Sequence, residues 1–74
     1  MKNALITGGA RGIGASIAKK LAADGNRVFI NYVNSTEAAN ALVKDIKDNG
    51  GEAHAIQADV RSDEQIELMF KKIN

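Results

Sequence analysis

Three observations predict an α/β fold built on a parallel sheet. Strand-like apolar runs alternate strictly with amphipathic helix-like stretches, the central run Val28-Phe29-Ile30 is unbroken, and a glycine-rich turn joins the first strand to the first helix. A βαβαβα order requires right-handed crossovers and a spatial strand order of 3-2-1. That is the N-terminal half of a doubly wound nucleotide-binding sheet.

The first strand is expected over Asn3 to Thr7, carried by Ala4-Leu5-Ile6. The first helix follows from Gly12 to Asp24 and is stopped by Gly25. Its Ile13, Ile17 and Leu21 recur at i, i+4, i+8, with Ala18 and Ala22 beside them, and form the stripe expected against the sheet. The second strand spans Arg27 to Tyr32, and its unbroken apolar centre suits a strand buried on both faces. The second helix begins at Ser35 or Thr36, either of which suits an N-cap, with Glu37 favourable at the helix dipole. Ala38, Leu42 and Ile46 form its buried stripe, and Asn49-Gly50-Gly51 ends it. The third strand, Glu52 to Ala58, is more polar, and His54 reads as a partly exposed residue on an edge strand. Ser62-Asp63-Glu64-Gln65 is a capping box that opens the third helix, whose apolar stripe is Ile66, Met69, Phe70 and Ile73.

At 74 residues the chain lies near the lower limit for an unaided core. It has no cysteine, which excludes disulfides and thiolate zinc sites, and one histidine cannot build a metal centre. Ten basic and nine acidic residues leave a net charge of +1, with no electrostatic footprint for nucleic acid or an anionic membrane. The apolar runs are far too short to span a bilayer. The first strand opens within three residues of Met1, which leaves no room for a signal peptide. A soluble, cytoplasmic chain is expected.

The most informative segment is Thr7-Gly8-Gly9-Ala10-Arg11-Gly12-Ile13-Gly14. An apolar strand ending in a glycine turn that opens a helix directs backbone N–H groups and the positive end of the helix dipole at an anion. Gly8 lets the chain reverse, with a positive φ within its reach. Gly12 and Gly14 remove side chains where a pyrophosphate approaches and where helix and strand pack closely. The G-x-G-x-x-G spacing is absent, because the glycines run G-x-x-x-G-x-G from Gly8. A P-loop is excluded as well: Gly9 to Ser16 fits its frame, but Ala15 stands where the lysine must be.

This T-G-x-x-x-G-I-G turn resembles the cofactor turn of the short-chain dehydrogenase/reductase family, and the resemblance runs the length of the chain through Val28 to Tyr32 and Ala58-Asp59-Val60. Within the family it is most similar to 3-oxoacyl-[acyl-carrier-protein] reductases, whose turn often reads T-G-x-x-R-G-I-G and whose second strand often ends in Asn-Tyr, as Asn31-Tyr32 does. The resemblance implies the N-terminal half of a Rossmann fold that binds a nicotinamide dinucleotide. It also implies that Asp59 accepts from the exocyclic amine of adenine while the Val60 backbone lies beside the ring. The adenine role is favoured, with an Asx turn or the lead-in to the Ser62 cap as the alternatives for Asp59.

The charges select the nucleotide. An acid about 20 residues beyond the glycines would bind the ribose hydroxyls, but Tyr32-Val33-Asn34-Ser35 contains none. Its absence removes the repulsion of a 2′-phosphate, and Arg11 supplies a forked cation to pair with one. NADP is therefore expected over NAD. Arg11 also suits a solvated turn, and Asn34 and Ser35 are ordinary turn and cap formers. The cofactor-binding set is Gly8, Gly9, Ala10, Arg11, Gly12, Ile13, Gly14, Tyr32, Val33, Asn34, Ser35, Asp59 and Val60, with no metal ligand.

The family's Ser, Tyr-x-x-x-Lys and Asn, which do the chemistry, lie beyond the third helix. Tyr32 is the only tyrosine, and Thr36 stands at its i+4 position. The resemblance thus implies residues 1–74 of an incomplete dinucleotide-binding domain, inactive alone, since a full domain is about three times as long. The alternative is a non-catalytic nucleotide-binding or self-assembling module. An open edge on strand one is expected to pair with the rest of a longer chain or, by a two-fold, with a second copy. Apolar surface at Leu5, Ile6 and Phe29 is expected to remain exposed on the face covered only by helix three.

Overall fold

The computed structural model describes residues 2–8 and 12–73. Six elements alternate: β1 (Asn3–Thr7), α1 (Gly12–Ala23), β2 (Arg27–Tyr32), α2 (Thr36–Asp48), β3 (Glu52–Gln57) and α3 (Asp63–Ile73). The strands form one parallel sheet in the order β1-β2-β3, as the alternation requires. Asn3 stands opposite Arg27 and Thr7 opposite Asn31; Arg27 stands opposite Glu52 and Tyr32 opposite Gln57. An Arg27–Glu52 ion pair links β2 to β3 at the N-terminal end of that ladder.

β2 is buried on both faces, so its side chains divide between two cores. Val28 and Ile30 point into a cluster with Ala18 and Ala22 of α1, Leu42 and Ile46 of α2, and Ala53 of β3. Phe29 points the other way, into a cluster with Ile56, Ala58 and Met69 of α3, with Leu5 and Ile73 packed against it. Full burial of a side chain such as Ile30 stabilises the fold by about 1.5–3 kcal/mol. The rings of Phe29 and His54 stack at 5.3 Å, which places His54 on the edge strand as an exposed cover for the smaller core.

α1 and α2 end alike. Gly25 N–H donates to the Ala22 carbonyl and Asn26 N–H to that of Leu21, each at 3.1 Å. Gly50 N–H donates to Lys47 at 3.0 Å and Gly51 N–H to Ile46 at 2.9 Å. Both are Schellman endings, which return the chain sharply to the next strand. At Gly51 a Cβ would lie 2.8 Å from Ile46 Cγ2 and 3.2 Å from Ala22 Cβ, so the two helices converge where only glycine fits.

Several expectations require correction. The sheet-facing side of α1 is Ala18 and Ala22, with Ala15 and Leu21 half-buried; Ile13 is 80% exposed and Ile17 47%. Apolar residues cover more than one face of α1, and the alanine face gives the shorter approach to the strands. On α2 Ala39 rather than Ala38 is fully buried, beside Leu42 and Ile46 as expected. Ser35 occupies the N-cap position, yet its hydroxyl caps no helix N–H. On α3 Met69 is buried, Ile66 and Ile73 are half-buried, and Phe70 is 48% exposed. Met69 takes the core position, so the next residue is turned away from it. Phe29 is only 6% exposed and Leu5 is half-buried, because α3 and His54 cover that face more fully than expected; Ile6 is half-buried on the opposite face, against the core beneath α1 and α2.

Candidate functional site

The three βα connections leave the same C-terminal edge of the sheet, where open parallel sheets place their ligands. Gly8 closes β1 at φ 63° and Gly12 opens α1 at φ 59°. A Cβ at either would meet nothing within 4 Å, so the demand for glycine here is conformational rather than spatial. Ile13 and Gly14 lie in the first turn of α1. Gly9, Ala10 and Arg11 lie outside the described residues.

On the other side stands a groove of about 430 Å3, lined by Val33, Asn34, Gln57, Ala58, Asp59 and Gln65. It brings the β2–α2 connection against the β3–α3 connection. Val33, Asn34 and Asp59 of the expected set line it together. Tyr32 ends β2 half-buried, and its carbonyl accepts from Ala58 N–H at 3.0 Å. Ser35 is half-buried, and Val60 is exposed beside Asp59.

The two sides meet at Asn31, a polar side chain only 2% exposed. Its backbone carbonyl accepts from Gly8 N–H at 3.1 Å. Its side-chain Nδ2 donates to the Ala58 carbonyl at 2.9 Å, with a longer contact to Ile56 at 3.4 Å. Burying an amide demands such partners, and here they tie the glycine turn and the β3–α3 connection to one residue. Gln57 adds a second tie across the groove, its Nε2 donating to the Val33 carbonyl at 3.1 Å.

Asp59 is held on both its backbone and its side chain. Its N–H donates to Gln65 Oε1 at 2.7 Å, and its carbonyl accepts from Ser62 N–H at 3.0 Å. The Arg61 backbone N–H and Nε both donate to Oδ1, at 2.9 and 3.0 Å, and its NH2 donates to Oδ2 at 2.9 Å. These bonds from Arg61, side chain first and backbone second, lower the Asp59 carboxyl to a pKa of about 2. The same pairing raises the Arg61 guanidinium. The expected capping box is therefore only half made. Gln65 N–H reaches Ser62 Oγ at a long 3.4 Å, but the Gln65 oxygen serves Asp59 instead of closing back on Ser62.

Asn31, Gln57, Arg61 and Gln65 were absent from the expected set. Asn31 carried a signal, since a polar residue completing an apolar strand needs a buried partner. Gln57 at the end of β3 and Arg61 in the β3–α3 connection have nothing in their spacing that sets them apart, while Gln65, in the first turn of α3, is marked by its spacing only as a capping residue.

Among the described residues no cluster of His, Cys, Asp and Glu could hold a metal ion, and no helix is long and apolar enough to cross a membrane. The arrangement can hold an extended anion: backbone donors and a helix N-terminus at one end, and a groove with a fixed carboxylate acceptor at the other.

Residues 2–74 match the family model of the short chain dehydrogenases. The chain is 59% identical over 59 residues to a probable tetrahydroxynaphthalene reductase of Zymoseptoria tritici, covering 80% of this chain and 22% of that protein. It is 46% identical over 72 residues to a 3-oxoacyl-[acyl-carrier-protein] reductase of Staphylococcus aureus, covering 97% of this chain and 29% of that protein. Among solved structures, a short chain dehydrogenase from Burkholderia cenocepacia in complex with NADP superposes with a TM-score of 0.91 at 49% identity, covering 97% of this chain and 29% of that one. The chain thus spans less than a third of the length of these relatives.

Proposed function

This chain belongs to the short-chain dehydrogenase family, and from that premise we propose that residues 1–74 are the NADP-binding N-terminal part of an oxidoreductase of the 3-oxoacyl-[acyl-carrier-protein] reductase kind. When bound, the nicotinamide exchanges a hydride with a carbonyl carbon. Gly8 to Gly14 hold the pyrophosphate through the backbone N–H groups that follow Gly8, whose own N–H serves the Asn31 carbonyl. Arg11, with Tyr32, Val33, Asn34 and Ser35, holds the ribose bearing the 2′-phosphate. Asp59 and Val60 hold the adenine.

One observation carries this reading. The positive-φ turn at Gly8 and Gly12 and the groove at Asp59 open on the same sheet edge and are tied to the same Asn31. The residues therefore fit the phosphates and the purine of one dinucleotide. The absence of a carboxylate from Tyr32 to Ser35 supports NADP, as does the NADP bound to the Burkholderia cenocepacia relative. Within residues 1–74 no side chain is assigned as proton donor to a carbonyl, so turnover rests on residues outside this segment.

Titration of the intact protein with NADPH and NADH tests the reading. A forked Arg11 contact to the 2′-phosphate favours NADPH by about tenfold or more, and equal affinities overturn it. The open edge of β1 is proposed to pair with a further strand, either from a longer chain or from a second copy about a two-fold. Equilibrium sedimentation of residues 1–74 as a folded monomer at high dilution would count against that pairing.

A further inference from the structure

Arg61 is exposed at the surface, yet its side chain is spent on one neighbour. Its Nε and NH2 enclose the Asp59 carboxylate with two hydrogen bonds, at 3.0 and 2.9 Å. An exposed arginine gains little from pairing with an exposed acid, so such forks are ordinarily loose and weak. This one is reinforced from two further directions. The Arg61 backbone N–H locks the carboxylate at a second-neighbour distance, and Gln65 fixes the Asp59 backbone from α3 at 2.7 Å. Asn31 then anchors the preceding Ala58 carbonyl from the buried interior. The carboxylate accordingly has one orientation at the wall of the groove it lines.

A carboxylate offers about four acceptor positions. Arg61 takes two on Oδ1 and one on Oδ2, which leaves one on Oδ2. We propose that Arg61 is a positioning residue: it sets the Asp59 carboxylate so that this remaining acceptor position receives the 6-amino group of the bound purine, making Arg61 a determinant of 6-aminopurine selectivity. Arg61 acts through Asp59 and need not touch the nucleotide. The inference rests on the proposed binding of NADP and adds to it a residue and a selectivity.

The test compares NADPH with its analogue whose purine carries hydrogen in place of the 6-amino group, both titrated against the intact protein by fluorescence. The unaltered protein is expected to bind NADPH about tenfold more tightly than the analogue, as a hydrogen bond to a charged acceptor warrants. Arg61→Ala is expected to weaken NADPH about fivefold to tenfold and to leave the analogue within about twofold, so that the selectivity collapses. Arg61→Lys keeps the charge but loses the fork, and is expected to retain only part of the selectivity. An Arg61→Ala variant that weakens both ligands equally shows a merely structural role and overturns the inference. One that tightens NADPH shows competition for Asp59 and overturns it too. If the unaltered protein binds both ligands equally, the selectivity fails while NADP binding stands; if it binds neither, NADP binding itself fails.

Discussion

The β1–α1 turn and the β3–α3 connection flank the same sheet edge, but they achieve their shapes by opposite means. At the first, Gly8 and Gly12 adopt positive φ with open space where a side chain would be, so the shape is set by backbone freedom. At the second, the Arg61 side chain from its own turn and the Gln65 side chain from α3 hold Asp59, and Asn31 from β2 holds the preceding Ala58 carbonyl. A backbone cradle serves an anion of any orientation, because N–H groups converge on charge. A braced carboxylate serves a directional donor, because its lone pairs must already be aimed.

Asn31→Leu separates the two most sharply. It leaves the backbone carbonyl that holds Gly8 N–H and removes the amide that holds Ala58. The orphaned carbonyl should cost about 2–3 kcal/mol in urea denaturation, with the damage confined to the β3–α3 side. Chemical-shift changes concentrated at the glycine turn instead would refute this division. Gly12→Ala acts on the other loop alone. Forcing an L-residue to φ 59° should cost about 1–2 kcal/mol, read from the same denaturation curves, and should weaken dinucleotide binding while Asp59 keeps its partners. Gln65→Ala should cost only about 0.5–1 kcal/mol, since the bond it removes is exposed, and should broaden the Asp59 amide resonance.

The smallest effect at neutral pH is the titration of Asp59. Its carboxyl sits at about 2 when folded against an ordinary 3.8, so the folded protein favours the ionised form. That stabilisation is complete above 3.8 and is lost as pH falls through about 2. Carboxyl NMR should place the midpoint near 2, and Arg61→Ala should return it towards 3.8.

The same contrast explains what was legible in the sequence. Glycine spacing and the apolar run of β2 report backbone demands directly, so the strand order and nearly every boundary could be read from residue types. α1 ends at Ala23 rather than Asp24, and β3 at Gln57 rather than Ala58. The face of α1 was not legible, because isoleucines and alanines compete for the sheet and only packing distance decides between them. Of the bracing of Asp59, the Asx turn to the Arg61 N–H was legible, but the contributions of the Arg61 and Gln65 side chains were not. Gln65 satisfies a capping pattern in sequence, and only the fold brings its oxygen to Asp59. Arg61 looks like any loop arginine until the turn folds it back two residues.

The bond from Asp59 to Gln65 joins the rim of the groove to a helix that is otherwise lightly moored, with Met69 its one buried side chain among the described residues. Fraying of α3 therefore releases Asp59 and uncovers Phe29 in the same event. The converse is a thermodynamic necessity. Any ligand that engages Asp59 only when it is held in place must slow amide exchange along α3, while α2, which the groove does not engage through such a bond, keeps its own exchange rate.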